Sequence, residues 1–147
     1  MIAPFSFRCD QPFLEIGDTW QQVSDGNLTC AFLVSREAAS RTAESRGGVI
    51  VHVGSDLTTQ PRPLRVLFAA VKAGVRLMTV AMALDLAPLG VRVCPVATPR
   101  DTETATGGFV PGNEHVAAAV VRWASDRASY LLGSTFFPAS PVRFRAA

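Results

Sequence analysis

The sequence predicts an α/β fold of three layers, in which a short parallel sheet is covered by helices on both faces. Two apolar runs rich in β-branched residues, 49–53 and 91–96, have the length and composition of strands buried on both sides. A segment with helical periodicity precedes the first run, another separates the two runs, and a third follows the second. Strands that alternate with helices in this way are typical of parallel sheets built from βαβ units.

Length and composition favour one domain without highly charged partners. The 147 residues are 48% hydrophobic, so we predict a single domain over 1–147, with an amino-terminal arm or edge strand at 1–13 and a tail at 138–147. A formal charge of +2 and scattered basic residues predict no nucleic-acid partner. Charged residues interrupt the longest apolar stretch, so we predict neither export nor a membrane span. The three cysteines include no CxxC pair, and we therefore predict a reduced, cytoplasmic chain without a metal site.

The first predicted helix begins at a cap formed by Asp18 or Thr19 and ends at Gly47-Gly48. Gly26 interrupts it, and because a glycine inside a helix costs about 1 kcal/mol relative to alanine, we predict a kink there. Ahead of this helix, the alternation of apolar and polar residues at 5–10 predicts a short edge strand.

The second predicted helix, 68–86, is rich in Ala, Leu and Met, contains no proline and leads to a Pro-Leu-Gly stop. It joins the two central runs and is therefore expected to be long and largely buried. Pro95 makes the second run an imperfect strand. The remaining predicted segments are a loop at 56–67, a polar glycine-containing loop at 98–113, a helix at 114–128 and a short strand at 130–137.

Five segments carry a resemblance to a known family. Residues 20–28 have the pattern W-x-x-V-x-x-x-N-L, residues 47–55 have G-G-x-I-V-x-x-x-S, and residues 68–72 match Y-x-x-x-K except that phenylalanine stands first. Residues 83–93 read A-L-D-L-A-P-L-G-V-R-V, and residues 125–133 read S-D-R-A-S-Y-L-L-G. In this order and at these spacings, the sequence resembles the carboxyl-terminal half of the short-chain dehydrogenase/reductase family.

The resemblance implies a truncated Rossmann-like fold in which 14–137 corresponds to that half. Family members seat the pyrophosphate of a dinucleotide on a glycine-rich turn upstream of these segments. The sequence contains no G-x-G-x-x-G, so we predict no cofactor, no cofactor-binding residues and no tight binding of a nicotinamide dinucleotide by this chain alone.

Family members also use a Ser-Tyr-Lys set with a supporting asparagine, in which the lysine lowers the pKa of the tyrosine phenol. The serine position is Ser55, and the tyrosine position thirteen residues later holds Phe68, which has no proton to give. The predicted catalytic residues are Ser55, Lys72, Asn27 and Asp56, and the predicted substrate contacts are Phe68, Thr98 and Phe109.

Less specific interpretations of these residues stay open. Ser55, Lys72 and Asn27 are equally consistent with inherited groups that only hold a loop and a helix together. An aspartate that starts a loop, such as Asp56, is more often a turn former than an acid or base. His52, inside an apolar strand, is more often satisfied by a neighbouring helix than catalytic.

The absence of both a dinucleotide seat and a phenol leads to a non-redox hypothesis. We predict a cofactor-independent enzyme of the cyclase, dehydratase or isomerase type that acts on a small lipophilic, polyketide-like substrate. The alternative is a catalytically silent subunit that stabilises or regulates a full-length dehydrogenase. The resemblance implies a homodimer or homotetramer that associates through the helices at 19–46 and 68–86, whereas the silent-subunit alternative implies a complex with a full-length relative.

Overall fold

A computed structural model describes residues 10–45, 47–55, 58, 61–98, 113–125 and 128. Its elements follow the predicted alternation of helices and strands. In chain order they are a 3-10 turn (Phe13–Glu15), α1 (Thr19–Ser24), a π-helical segment (Asp25–Thr29), α2 (Cys30–Glu44), β1 (Gly48–Ser55), α3 (Val66–Leu86), a second 3-10 turn (Ala87–Leu89), β2 (Val91–Thr98) and α4 (Asn113–Ala124).

The two strands pair in parallel, from Gly48 opposite Val91 to Ser55 opposite Thr98. α3 is the crossover between them, since parallel neighbours cannot be joined by a tight turn. The sheet lies between a layer of α2 and α3 and a layer of α4, because all three helices contact both strands. The predicted class, an α/β fold with a short parallel sheet flanked by helices, is confirmed.

Each strand contributes to two cores, because successive side chains in a strand point to opposite faces. Ile50 and Val93 are buried against α2 and α3 on one face. Val51 and Val96 are buried against α4 on the other, where they meet Trp123. This double burial explains why the two runs read as continuous apolar stretches.

The interruption predicted at Gly26 takes the form of the π-helical segment Asp25–Thr29. A π turn adds a residue to the helical repeat, so it displaces the side chains on either side of it. Asn27 lies in this segment and is buried. The kink therefore turns a polar side chain towards the interior.

Two glycine turns meet where both strands begin. Gly47 and Gly90 have φ angles of 105° and 72°, in the left-handed region that favours glycine. The amide of Gly48 donates to the carbonyl of Gly90 at 3.3 Å. The starts of β1 and β2 are thus held together by backbone groups that approach closely only in the absence of side chains.

α4 ends at Ala124, earlier than the predicted 128. The cause lies on β2: the two terminal nitrogens of the Arg92 guanidinium donate to the carbonyls of Trp123 (3.1 Å) and Ser125 (3.4 Å). The bond to Trp123 satisfies a carbonyl of the last helical turn, and the Ser125 carbonyl also accepts from the amide of Ala128 at 3.2 Å. The predicted strands at 5–10 and 130–137, the loop at 98–113 and the tail at 138–147 lie largely or wholly outside the described residues.

By length and composition alone, one segment in the described part of the chain, Val66–Leu89, qualifies as a membrane-spanning helix, with a hydropathy of 1.7. It is the crossover helix α3 with the 3-10 turn that follows. Within it Lys72 and Thr79 are buried against the rest of the fold, an arrangement found in central helices of globular domains. The predicted absence of a membrane span stays a prediction.

Candidate functional site

The carboxyl ends of both strands lie side by side, which is where open α/β sheets bind their ligands. Ser55 and Thr98 are the last residues of β1 and β2 and face each other in the register. Ser55 is buried, and its carbonyl accepts a hydrogen bond from the hydroxyl of Thr58 at 3.1 Å. The spacing argument therefore placed Ser55 correctly at a strand end.

Phe68 and Lys72 lie one turn apart in α3, and each is only 3% exposed. The ammonium nitrogen of Lys72 lies 5.1 Å from the centroid of the Phe68 ring, within the range of a cation–π contact. Lys72 is also the only lysine in the 147 residues. The aromatic ring at the tyrosine position thus contacts the ammonium group, but it offers a π face in place of a phenol.

Asn27 is fully buried in the π-helical segment. Its side-chain nitrogen donates to the carbonyl of Val23 at 3.0 Å, while its Oδ1 is buried without a hydrogen-bond partner among the described residues. A buried acceptor of this kind is costly unless a donor reaches it. The π-helical segment packs against α3. The Oδ1 atom of Asn27 is therefore a buried acceptor for which the described residues supply no donor.

A cavity of about 10 Å³, room for about one water molecule, lies beside the strand ends. Ser55 and Thr58 border it, whereas Lys72, Asn27 and Phe68 do not. Of the predicted set, the cavity therefore includes one member. Its lining residues are His52, Gly54, Ser55, Thr58, Val75, Arg76, Thr79, Pro95, Val96 and Ala97.

Three predicted site residues cannot be placed in this geometry. Asp56 and Phe109 lie outside the described residues, and only the backbone of Thr98 is described. Their roles, and those of the other predicted site residues, stay predictions. In the described part of the chain, no group of three or more His, Cys, Asp or Glu side chains is arranged to hold a metal ion, and Cys30 and Cys94 form no disulfide with each other.

His52 forms a buried network that bridges three elements. Its Nε2 lies 2.6 Å from the hydroxyl of Ser35 in α2, and its Nδ1 lies 2.7 Å from the hydroxyl of Thr79 in α3. This confirms the interpretation of His52 as a histidine satisfied by neighbouring helices, here by two of them. Sequence reasoning missed Ser35 and Thr79, although each is a hydroxyl residue among the buried positions of its helix.

The network fixes where the imidazole proton lies. The hydroxyl of Thr79 donates to the carbonyl of Val75 at 2.6 Å, so its oxygen accepts from Nδ1–H of His52. Nε2 then carries no proton and accepts from Ser35. Burial disfavours the charged ring as well, and it lowers the pKa of His52 from its ordinary value of 6.5 to about 4.

We expect folding stability to decrease as the pH falls from about 6.5 towards 4. In this pH window residue 52 binds a proton in the unfolded chain, whereas its ring stays neutral in the folded chain. The free energy of unfolding that is lost through this residue approaches about 3 kcal/mol. Urea unfolding at a series of pH values measures the loss. His52→Asn is expected to remove this part of the pH dependence, whereas the control His115→Gln is expected to keep it. If stability fell with pH equally in wild type and His52→Asn, the pH dependence would not come from His52.

Comparison with known proteins identifies the family. The sequence profile of short chain dehydrogenases matches residues 6–110. The chain belongs to the short-chain dehydrogenase family. It is 37% identical to 3beta-hydroxysteroid dehydrogenase 1 from Eggerthella lenta, over 82% of this chain and 53% of that protein. It is 30% identical to glucose 1-dehydrogenase 2 from Bacillus subtilis, over 82% of this chain and 54% of that protein.

Solved structures of this family superpose on the fold. The chain matches a 4-hydroxyisoleucine dehydrogenase complexed with NADH and succinate with a TM-score of 0.82 and 26% identity, over 92% of this chain and 64% of that one. A short chain dehydrogenase from Mycobacterium smegmatis matches with a TM-score of 0.80 and 30% identity, over 93% of this chain and 56% of that one. The chain thus spans about half the length of the curated relatives it matches.

The prediction of a cofactor-independent, non-redox enzyme acting on polyketide-like substrates is wrong. The relatives are named as dehydrogenases, which transfer hydride. The error came from treating features missing from this sequence as evidence about the reaction, although the matched region covers only half of the relatives. A serine and a lysine that polarise a carbonyl serve hydride transfer as well as isomerisation. The alternative of a silent subunit finds no support in the names of these relatives, which are enzymes.

Proposed function

We propose that this chain forms the substrate-side half of a nicotinamide-dependent dehydrogenase or reductase. Membership of the short-chain dehydrogenase family carries the proposal, and the names of the relatives indicate redox chemistry on hydroxyl or carbonyl groups. The structure supports it by placing Ser55 at the carboxyl end of β1 and a single buried lysine on the crossover helix α3.

The residues fit only part of such a cofactor. A pyrophosphate requires a glycine-rich turn at a helix N-terminus, and the sequence contains no such turn. The cavity beside Ser55 admits about one water molecule. We therefore assign the adenosine and pyrophosphate of the dinucleotide to the half of the relatives that this chain does not match.

The chain's own residues act at the substrate. The hydroxyl of Ser55 donates a hydrogen bond to the oxygen of a carbonyl substrate, and the ammonium of Lys72 provides positive charge for the oxyanion that develops during reduction. Asn27 supplies a buried acceptor on the helix that packs against α3. Phe68 excludes water from the ammonium group and donates no proton.

Titration with reduced nicotinamide mononucleotide and with NADH tests this division. Because the chain has one lysine, lysine labelled with ¹³C and ¹⁵N gives a single side-chain NMR signal, which reports on Lys72. We expect the mononucleotide to shift this signal and the amide signals of Ser55 and Thr58. NADH is expected to bind no more tightly than the mononucleotide, because the described residues form no binding site for the adenosine half of NADH.

Variants make the test specific. Ser55→Ala is expected to weaken the response. Ser40→Ala, at an exposed serine of α2 whose hydroxyl donates to Glu44 in the same helix, is expected to leave the response unchanged. Absence of any response to either nucleotide at millimolar concentration would overturn the assignment of a nicotinamide-dependent reaction to these residues. Tight binding of NADH alone would overturn the division into two halves.

We also propose that the chain associates with itself through α3. One side of this helix carries an exposed apolar stripe at helical spacing, in which Leu77 and Leu84 are 68% and 70% exposed. Exposed apolar patches of this kind mark interaction sites. The stripe comprises Val66, Ala70, Ala73, Leu77, Ala81 and Leu84.

The double variant Leu77→Glu/Leu84→Glu is expected to raise the dissociation constant of the dimer by at least about a hundredfold, because it places unpaired charges in the interface. Sedimentation equilibrium measures this constant. Leu14→Glu is the matched control, since Leu14 is a 93% exposed leucine on a different element. An unchanged mass for the double variant, or the same dissociation for the control, would count against the α3 interface.

A further inference from the structure

His52 stands in β1 three residues before Ser55 and is 1% exposed. Its ring spans the layer of α2 and α3, because one nitrogen meets the Ser35 hydroxyl and the other meets the Thr79 hydroxyl. These partners are 17 and 27 residues away in the sequence. The same ring borders the cavity that Ser55 borders. One side chain thus connects both helices to the strand that ends at the candidate site.

Side-chain hydrogen bonds attach the carboxyl-end half of β1 at two levels. In the register, His52 faces Pro95, which has no backbone N–H to donate. The β1–β2 ladder loses no donor there, because the bond from Gly48 to Gly90 sets an alternation in which the amides of residues 92, 94, 96 and 98 face β1. Beyond it, the hydroxyl of Thr58 holds the carbonyl of Ser55. The His52 ring and the Thr58 hydroxyl thus hold this half of the strand in addition to its backbone ladder.

The connection works in only one protonation state. Thr79 donates to Val75, so it can only accept from the ring, and Ser35 needs an acceptor. A ring protonated at Nδ1 alone satisfies both hydroxyls, whereas a ring protonated on both nitrogens leaves the Ser35 proton without its acceptor.

We propose that His52 is a positioning residue for Ser55: its neutral, Nδ1-protonated imidazole holds the carboxyl-end half of β1 against α2 and α3. The position of Ser55 relative to both helices then depends on a residue that does not touch substrate. The importance of this for catalysis rests on the proposed function, but the positioning itself does not.

The ring state is tested first on the wild-type chain. The sequence has two histidines, so ¹⁵N-histidine labelling gives two sets of ring signals, and His115→Gln assigns them. We expect His52 to show a protonated Nδ1 and an unprotonated, hydrogen-bonded Nε2. A ring protonated at Nε2, or one charged at neutral pH, would overturn the proposal whatever the behaviour of any variant.

Amide hydrogen exchange then tests the positioning. In His52→Leu we expect exchange at the amide of Gly54, which precedes Ser55 and faces β2, to accelerate by about tenfold or more relative to the amide of Cys94, which faces β1, as loss of buried hydrogen bonds predicts. His52→Asn keeps an N–H near the position of Nδ1 and is expected to restore much of the protection through Thr79. Ser35→Ala is expected to accelerate exchange in the wild type but not in His52→Asn, where its partner is already gone.

The outcomes separate a positioning role from a general one. Equal acceleration at Gly54 and Cys94 would mean that His52 only stabilises the whole fold, and it would overturn the proposal. Because neither the ring signals nor the exchange rates involve a nucleotide, a negative nucleotide titration leaves these results intact. Conversely, a positive titration with a mobile Ser55 in the wild type would overturn the positioning role alone.

Discussion

Phe68→Tyr is expected to raise hydride-transfer activity at least about a hundredfold, the usual contribution of a positioned general acid or base. Position 68 lies thirteen residues after Ser55 and four before Lys72, which is the spacing of the family's serine, tyrosine and lysine. The ring there already contacts the Lys72 ammonium. A hydroxyl added to it would lie beside a positive charge that favours the phenolate and would make proton transfer efficient near neutral pH.

The activity is measured with NAD⁺ or NADP⁺ and secondary alcohols of the classes named by the relatives, a 3β-hydroxysteroid and glucose among them. Phe68→Leu is the control for a change in packing, and Phe68→Tyr/Lys72→Met tests the dependence on the ammonium. No gain in Phe68→Tyr, or a gain that persists without Lys72, would contradict the expected role of these two residues.

A second measurement needs no cofactor. The sequence contains one tyrosine, Tyr130, so Phe68→Tyr/Tyr130→Phe has a single phenol whose ultraviolet titration can be followed alone. We expect the pKa of this phenol to lie below the ordinary value of about 10, because Lys72 stabilises the phenolate. A pKa at or above the ordinary value would show that burial outweighs the lysine, and the activity gain would then not be expected.

Gly47→Ala is expected to destabilise the fold by about 3 kcal/mol or more, since it combines backbone strain with a steric clash. The φ angle of Gly47 is 105°, and a Cβ atom there would lie 2.5 Å from the carbonyl oxygen of Gly90. That oxygen also accepts the hydrogen bond from Gly48 that joins the strand starts. The clash is with backbone, so no side-chain rotation relieves it.

Urea unfolding measures this loss, and two other glycines provide controls. Around Gly17 a Cβ atom would meet nothing within 4 Å, and at Gly54 it would meet only the carbonyl oxygen of Val96 at 3.7 Å. Alanine at either position is therefore expected to be tolerated. A Gly47→Ala protein as stable as Gly17→Ala would show that the two turns separate without loss, contrary to the geometry.

The sequence was sufficient for the elements because their signals are local. Apolar runs on both sides of a proline-free helical segment predicted β1, α3 and β2, and the glycine pair at Gly47-Gly48 marked the start of a strand. The spacing from Ser55 to Lys72 placed one residue at a strand end and the other on the crossover helix. Element ends were less accurate, as at α4, where a guanidinium from β2 caps the helix.

The function was not accessible from the residues in the same way. Missing motifs suggested non-redox chemistry, but an absent turn says nothing about residues that a sequence does not include. The family membership and the dehydrogenase names of the relatives corrected that hypothesis. The roles of the predicted site residues stay predictions, and their assignment to redox chemistry is a proposal that rests on the comparison.

By itself, the sequence determined the order and type of the elements, the parallel sheet and the loss of the phenol at position 68, since each depends on neighbours a few residues apart. Only the tertiary structure decided that His52 is neutral between Ser35 and Thr79, that Asn27 turns an acceptor inwards and that Lys72 contacts a ring. The physical reason is that hydrogen bonding and burial depend on contacts between side chains of different elements, and helical or strand periodicity does not specify those contacts.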